Sequence, residues 1–94
     1  MITIDEVKSY LRIDNNEEDG LLSSLLSTAK ELVEGVIRQS LTSFDPLPET
    51  LKQAVLFSVA TMYEERQIGK DGIQVPDMLD MVKRLTFAYR KETF

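Results

Sequence analysis

Asp14, Asn16 and Glu18 alternate along the chain in the spacing by which a calcium-binding loop presents its first three oxygen ligands. The pattern stops there. The sixth position of such a loop needs glycine for its sharp turn and here holds Asp19; the twelfth supplies a bidentate carboxylate and here holds Leu25. Read without a metal, the same acidic run caps and charges the start of a helix. Ser27 and Lys30 repeat the S-x-x-K spacing in which a lysine helps to activate a serine nucleophile. The chain holds nothing else of that machinery, and both residues fall on the polar face of a helix. Gly69-Lys70 ends like a phosphate-binding loop whose first glycine would have to stand at Glu64. Glu64, Glu65 and Arg66 offer two acids beside an anion clamp; the simpler reading is the solvated end of a helix, with Tyr63 turned inward as its anchor.

Two absences exclude more chemistry than these fragments suggest. The chain has no cysteine, hence no disulfide, thiolate nucleophile or zinc cluster, and no histidine, the commonest metal ligand and general base. No acid-base pair, nucleophile or metal set is left standing. The expectation is a protein that is not an enzyme, with no catalytic residue and no cofactor or metal.

The elements that carry these residues follow from capping and periodicity. Thr3 and Glu6 have the T-x-x-E spacing of a capping box, with Ile2 and Val7 placed as a hydrophobic staple, so a first helix is expected from about Ile4 to Arg12. Ile4, Val7, Tyr10 and Leu11 mark its apolar face. Asn15 or Asn16 can cap a second helix with Glu17, Glu18 and Asp19 in its first turn. Leu22, Leu25, Leu26, Ala29, Leu32, Val33, Val36 and Ile37 then hold a 3.6-residue stripe to roughly residue 39, supported by an i,i+4 pair of Glu34 and Arg38.

After a connector at 40–47, Pro48 suits the first position of a third helix running to about Gln67. Its middle, from Leu51 through Ala54, Val55, Leu56, Phe57, Val59, Ala60, Met62 and Tyr63, is apolar nearly all round. Such a helix is buried on every side, and in so short a chain a second copy is a natural source of the missing cover. Gly69, Gly72 and Pro76 make residues 68–77 a loop, with Ile73 to Val75 extended. A fourth helix is expected over about Met78 to Arg90, with a stripe of Met78, Leu79, Val82, Leu85 and Tyr89 and with Met81 and Phe87 beside it. The fold class is therefore all-α: a small bundle of about four helices with a flexible loop before the C-terminal one, forming a single domain over residues 1–94.

Composition fits that picture and narrows the partners. At 43% hydrophobic and 29% charged residues the chain lies far from the composition of disordered proteins, and it should fold. Its net charge of -5 disfavours nucleic acid and anionic membranes. The whole deficit lies in the first half, where residues 1–47 carry nine acids against four bases, a gradient suited to head-to-tail contacts between copies. Neither a signal peptide nor a membrane span is legible, so the expected site of synthesis is the cytoplasm.

Three stretches, taken in order, point to one family. The first is Ile2-Thr3-Ile4-Asp5-Glu6-Val7-Lys8-Ser9-Tyr10-Leu11-Arg12-Ile13-Asp14, followed by Glu17-Glu18-Asp19 and Leu21-Leu22. The second is Leu47-Pro48-Glu49-Thr50-Leu51-Lys52-Gln53-Ala54-Val55, continuing to Val59-Ala60 and Tyr63-Glu64-Glu65-Arg66. The third is Val75-Pro76 with Tyr89-Arg90. Together they resemble the small head-tail connector (adaptor) proteins of long-tailed bacteriophages, often labelled DNA-packaging proteins. The C-terminal helix departs from that pattern by lacking a proline near Tyr89-Arg90.

The resemblance implies a structural subunit with no catalytic residues. It implies a homo-oligomeric ring, usually twelvefold, under the portal protein at the capsid vertex, which completes the head after packaging and receives a downstream tail or stopper protein. It places the mature protein in the virion, at the head-tail interface, with DNA passing through the ring without being bound specifically and with no membrane. The rival reading is a small helical regulatory or antitoxin-like module that binds a host protein.

For the connector, the candidate interface residues are Leu56, Phe57 and Val59 on the third helix and Ile73, Val75, Met78, Met81, Arg84, Phe87, Tyr89 and Arg90 beyond it. The segment from about Gly69 to Phe94 reads as a basic arm that contacts the next subunit or the portal, because the first three helices carry stripes enough to close a core without it. The competing reading makes the fourth helix an ordinary member of the core.

Overall fold

A computed structural model describes residues 2–68 and 75–89. The regular elements among them are helical: α1 (Ile4–Leu11), α2 (Asp19–Ile37), α3 (Glu49–Ile68) and α4 (Val75–Thr86), with 3-10 turns at Leu41–Ser43 and Phe87–Tyr89. The all-α bundle of four helices read from periodicity is the observed fold.

The capping box is present at both of its bonds. Glu6 N–H donates to Thr3 Oγ1 at 3.2 Å, and Thr3 N–H donates to Glu6 Oε1 at 2.9 Å. Ile2 and Val7, the two halves of the staple, are both buried. α1 and α2 each end on an arginine in the left-handed region, Arg12 at φ 62° and Arg38 at φ 63°. At the first of these, Ile13 N–H returns to Lys8 O at 2.8 Å, closing the helix end with Ile13 packed against the core.

Three boundaries differ from expectation. α2 starts at Asp19, because Asn15 Oδ1 accepts from Glu17 N–H at 3.0 Å and so caps a local turn in place of the helix. Pro48 stands one position before α3, its carbonyl accepting from Lys52 N–H at 3.0 Å. α4 begins at Val75, so the expected loop is overrun at both ends: Ile68 belongs to α3, and Pro76 lies in the first turn of α4, where its missing N–H costs nothing. Ile73 and Arg90 lie outside the described residues.

The core is one cluster drawn from all four helices and the connector. Leu22, Leu26, Ala29, Val33 and Ile37 of α2 meet Leu51, Ala54, Val55, Leu56 and Val59 of α3, closed by Val7, Leu41 and Val82. α3 is central, touching α1, α2 and α4. Its apolar circumference is thus largely covered within the chain, and the need for a second copy to wrap its middle falls away. Ser58 and Thr86 enter this core at no polar cost, since their hydroxyls donate to Ala54 O at 2.9 Å and Val82 O at 2.7 Å, one turn back.

The fourth helix is a correction. Met78, Val82 and Thr86 are buried, and Leu85 packs against the core. α4 is a wall of the bundle and not a detached arm, because α2 and α3 pack as a pair and leave along their seam a groove that its stripe fills. Tyr89 seals the end: its ring meets Phe44 edge-on at 5.8 Å, and its carbonyl accepts from Gln39 Nε2 at 2.7 Å. The end of α4 thereby lies at the connector that leads into α3, so α4 runs back along α3.

Candidate interaction surface

The acidic turn that resembled a calcium loop is held by the chain's own groups. Lys8 Nζ lies 2.9 Å from Asp19 Oδ1 and donates to Asn16 Oδ1, so an ammonium from α1 pins both sides of the turn. Glu18 Oε1 accepts from Tyr63 Oη at 2.6 Å, tying the turn to α3. That bond to a carboxylate, together with partial desolvation, raises the Tyr63 phenol above its ordinary value. Among the described residues no group of three or more His, Cys, Asp or Glu could hold a metal ion.

A third link completes this corner. Lys52 Nζ on α3 donates to Glu6 Oε2 at 2.8 Å, while Glu6 Oε1 serves the capping box. The hydrogen bond from Lys52, followed by that from Thr3 N–H, holds the Glu6 carboxyl below its ordinary range, and the same contact raises Lys52. One carboxylate thus caps α1 and fastens it to α3.

The connector is organised by Glu34, whose Oε2 accepts from Leu41 N–H at 2.8 Å and lies 3.4 Å from Ser40 Oγ. Between this turn, the start of the chain and α2 lies a groove of roughly 330 Å³, with Ile2, Leu41, Phe44 and Leu47 as its apolar walls. Lys30, the lysine of the S-x-x-K spacing, lines the same groove, while Ser27 is exposed.

A second groove runs between the end of α1 and α3, lined by Tyr10, Arg12, Phe57, Ala60 and Glu64. Tyr10 was expected on the buried face and is 42% exposed. The helical wheel carries the signal that was missed: Tyr10 points about a quarter-turn from the mean direction of Ile4, Val7 and Leu11.

The candidate interface residues divide by where the fold places them. Leu56, Val59 and Met78 are buried in the chain's own core and offer no surface in this conformation. Tyr89 is half-buried and occupied by Phe44 and Gln39, and Val75 opens α4. Phe57 is half-buried in the second groove. Met81 and Phe87 are 39% and 70% exposed, and with Tyr10 they are the exposed large hydrophobics among the described residues. Arg84 is exposed beside them in an i,i+4 pair with Asp80 at 3.0 Å. The outer face of α4 and its 3-10 extension therefore combines apolar and basic groups, while the inner face is core.

No curated protein and no solved structure matches the chain. The family model described as phage gp6-like head-tail connector protein matches residues 1–92, nearly the whole sequence. On that coverage the chain belongs to the phage gp6-like head-tail connector family.

Proposed function

We propose that this protein is a head-completion subunit of a phage or prophage, assembling as a ring beneath the portal and joining head to tail after DNA packaging. The observation that carries the reading is the family match over residues 1–92. In this reading residues 1–94 act as one domain with a structural role and no catalysis. The ring is built of copies of this chain, the portal lies on one side and a tail or stopper protein on the other, and the site of action is the virion.

The surface supports this assignment in two ways. Met81 and Phe87 stand exposed on a face that also carries Arg84, the mixture of apolar anchor and arginine enriched at protein interfaces. The net charge of -5 suits a channel that DNA traverses without being gripped. No helix among the described residues is long and apolar enough to cross a membrane.

Electron microscopy of the protein mixed with its cognate portal tests the proposal. The expected image is a closed ring of added density on the portal. Native mass spectrometry that finds only monomer, with and without portal, would defeat it.

A further inference from the structure

The exposed large hydrophobics among the described residues fall into two patches. Tyr10 borders the groove between the end of α1 and α3, with Phe57 and Ala60 also lining it, while Met81 and Phe87 stand on the outer side of α4. α1 lies along α3 from Lys52, which Glu6 holds, to Glu64, which lines the groove together with Arg12. α4 runs back along the same helix and packs on α2 as well, so α1 and α4 must take different sides of α3. One copy cannot bring its own two patches together.

Each patch supplies what the other lacks. Asp80, Arg84 and Phe87 are spaced by four and three residues, so an acid, a base and a ring share one ridge of α4 and its extension, with Met81 at the edge. The groove, of roughly 470 Å³, offers apolar walls and again one base and one acid, Arg12 and Glu64. The acidic turn reaches α3 one residue before Glu64, through Glu18 and Tyr63, and tips that end of the groove negative, as exposed Lys83 tips the ridge positive. Apolar parts and charges are complementary.

We propose that the outer face of α4 seats in the α1–α3 groove of a second copy of this chain, Phe87 and Met81 entering beside Tyr10 and Phe57. The two surfaces differ and lie on different sides of the protomer, so the contact is head-to-tail. Every copy offers a ridge and receives one, and no patch is left over once the series of copies closes. The proposal deepens the connector reading and rests on it for that closure into a ring.

Two substitutions at exposed positions separate the halves of the contact. Tyr10→Asp spoils the groove and keeps the ridge; Phe87→Asp spoils the ridge and keeps the groove. In native mass spectrometry over a concentration series without portal, the unmodified chain should form dimers and larger species. Each variant alone should stay monomeric, with helical circular dichroism unchanged. Mixed, they should give dimers and nothing larger, since one intact ridge and one intact groove remain between them. A variant that loses helicity is replaced by Tyr10→Ser or Phe87→Ser, which remove the ring without adding charge.

An unmodified chain that stays monomeric throughout overturns the proposal. So does a variant that associates alone, a mixture that yields no dimer, or one that grows past it. A portal ring that persists in both variants overturns this contact and leaves the connector reading standing, whereas the expected pattern in solution with no ring on the portal does the reverse.

Discussion

The corner where α1, the acidic turn and α3 meet uses its polar groups differently from the outer face of α4. At the corner, Glu6 with Lys52, Lys8 with Asn16 and Asp19, and Glu18 with Tyr63 each join segments distant in sequence. Their charges are spent on contacts within the chain, which fasten α1 to the bundle. On α4 the ion pair of Asp80 and Arg84 stays within one helix, while Met81 and Phe87 face solvent. An exposed pair one turn apart contributes little stability, about 0.3–0.5 kcal/mol. The first region ties distant segments of one fold together, and the second leaves Met81 and Phe87 uncovered by the chain's own groups, the face proposed above for assembly.

The contrast is tested most severely on the inner side of α4. Met78→Ala should cost about 2–5 kcal/mol in urea denaturation, because Met78 is fully buried between helices. A chain cut after Gln67 should lose cooperative unfolding. A loss below about 0.5 kcal/mol for Met78→Ala would make α4 a surface arm after all.

At the corner, Tyr63→Phe should cost about 1 kcal/mol by removing the hydroxyl that Glu18 accepts. The same bond has an alkaline signature. With the Tyr63 pKa raised, its contribution is present below its ordinary value of 10.0 and is lost as pH rises through the raised one. In a spectrophotometric titration one of the three tyrosines should ionise late, and Tyr63→Phe should abolish that late step.

A smaller effect is expected on the acid side. Because the Glu6 pKa is lowered, its contribution is present above its ordinary value of 4.5 and fades as pH falls through the lowered one. Both partners are solvent-exposed enough for screening to keep the gain modest. Glu6→Gln should therefore flatten the acid limb of a plot of stability against pH, and high salt should do so in part. An acid limb unchanged by the substitution would remove Glu6 from the account.

The least change in stability is expected where the largest change in assembly is proposed. Phe87→Ser and Met81→Ser should alter unfolding free energy by no more than about 0.5 kcal/mol, since neither side chain is buried. Both should weaken ring formation on the portal as seen by electron microscopy. If assembly is indifferent to both, the distinction between a holding corner and a docking face collapses.

Much of this was legible before any coordinates. The capping box at Thr3 and Glu6, the stripe of α2 and the apolar middle of α3 depend on neighbours three or four residues apart, and local spacing reports such relations directly. The family resemblance likewise rests on ordered motifs along the chain, and the family model matches residues 1–92. The interface candidates were less legible. Met78 and Met81 are chemically alike and three residues apart, yet one is buried and the other exposed. Periodicity marks α4 as amphipathic and is silent on whether its apolar side meets its own bundle or another molecule.

What the sequence determined by itself was the set of helices, the absence of histidine and cysteine chemistry, the sign of the charge and the connector family. Tertiary structure alone decided that the oxygens of the acidic turn are taken by Lys8 and Tyr63, that Glu6 serves α1 and Lys52 together, and that Phe44, Gln39 and Tyr89 meet beside a groove. These pairings span from eight to fifty positions. Helix periodicity carries information over one or two turns, whereas which distant faces meet is fixed by how a few stripes can pack together at interior density, a property of the whole chain.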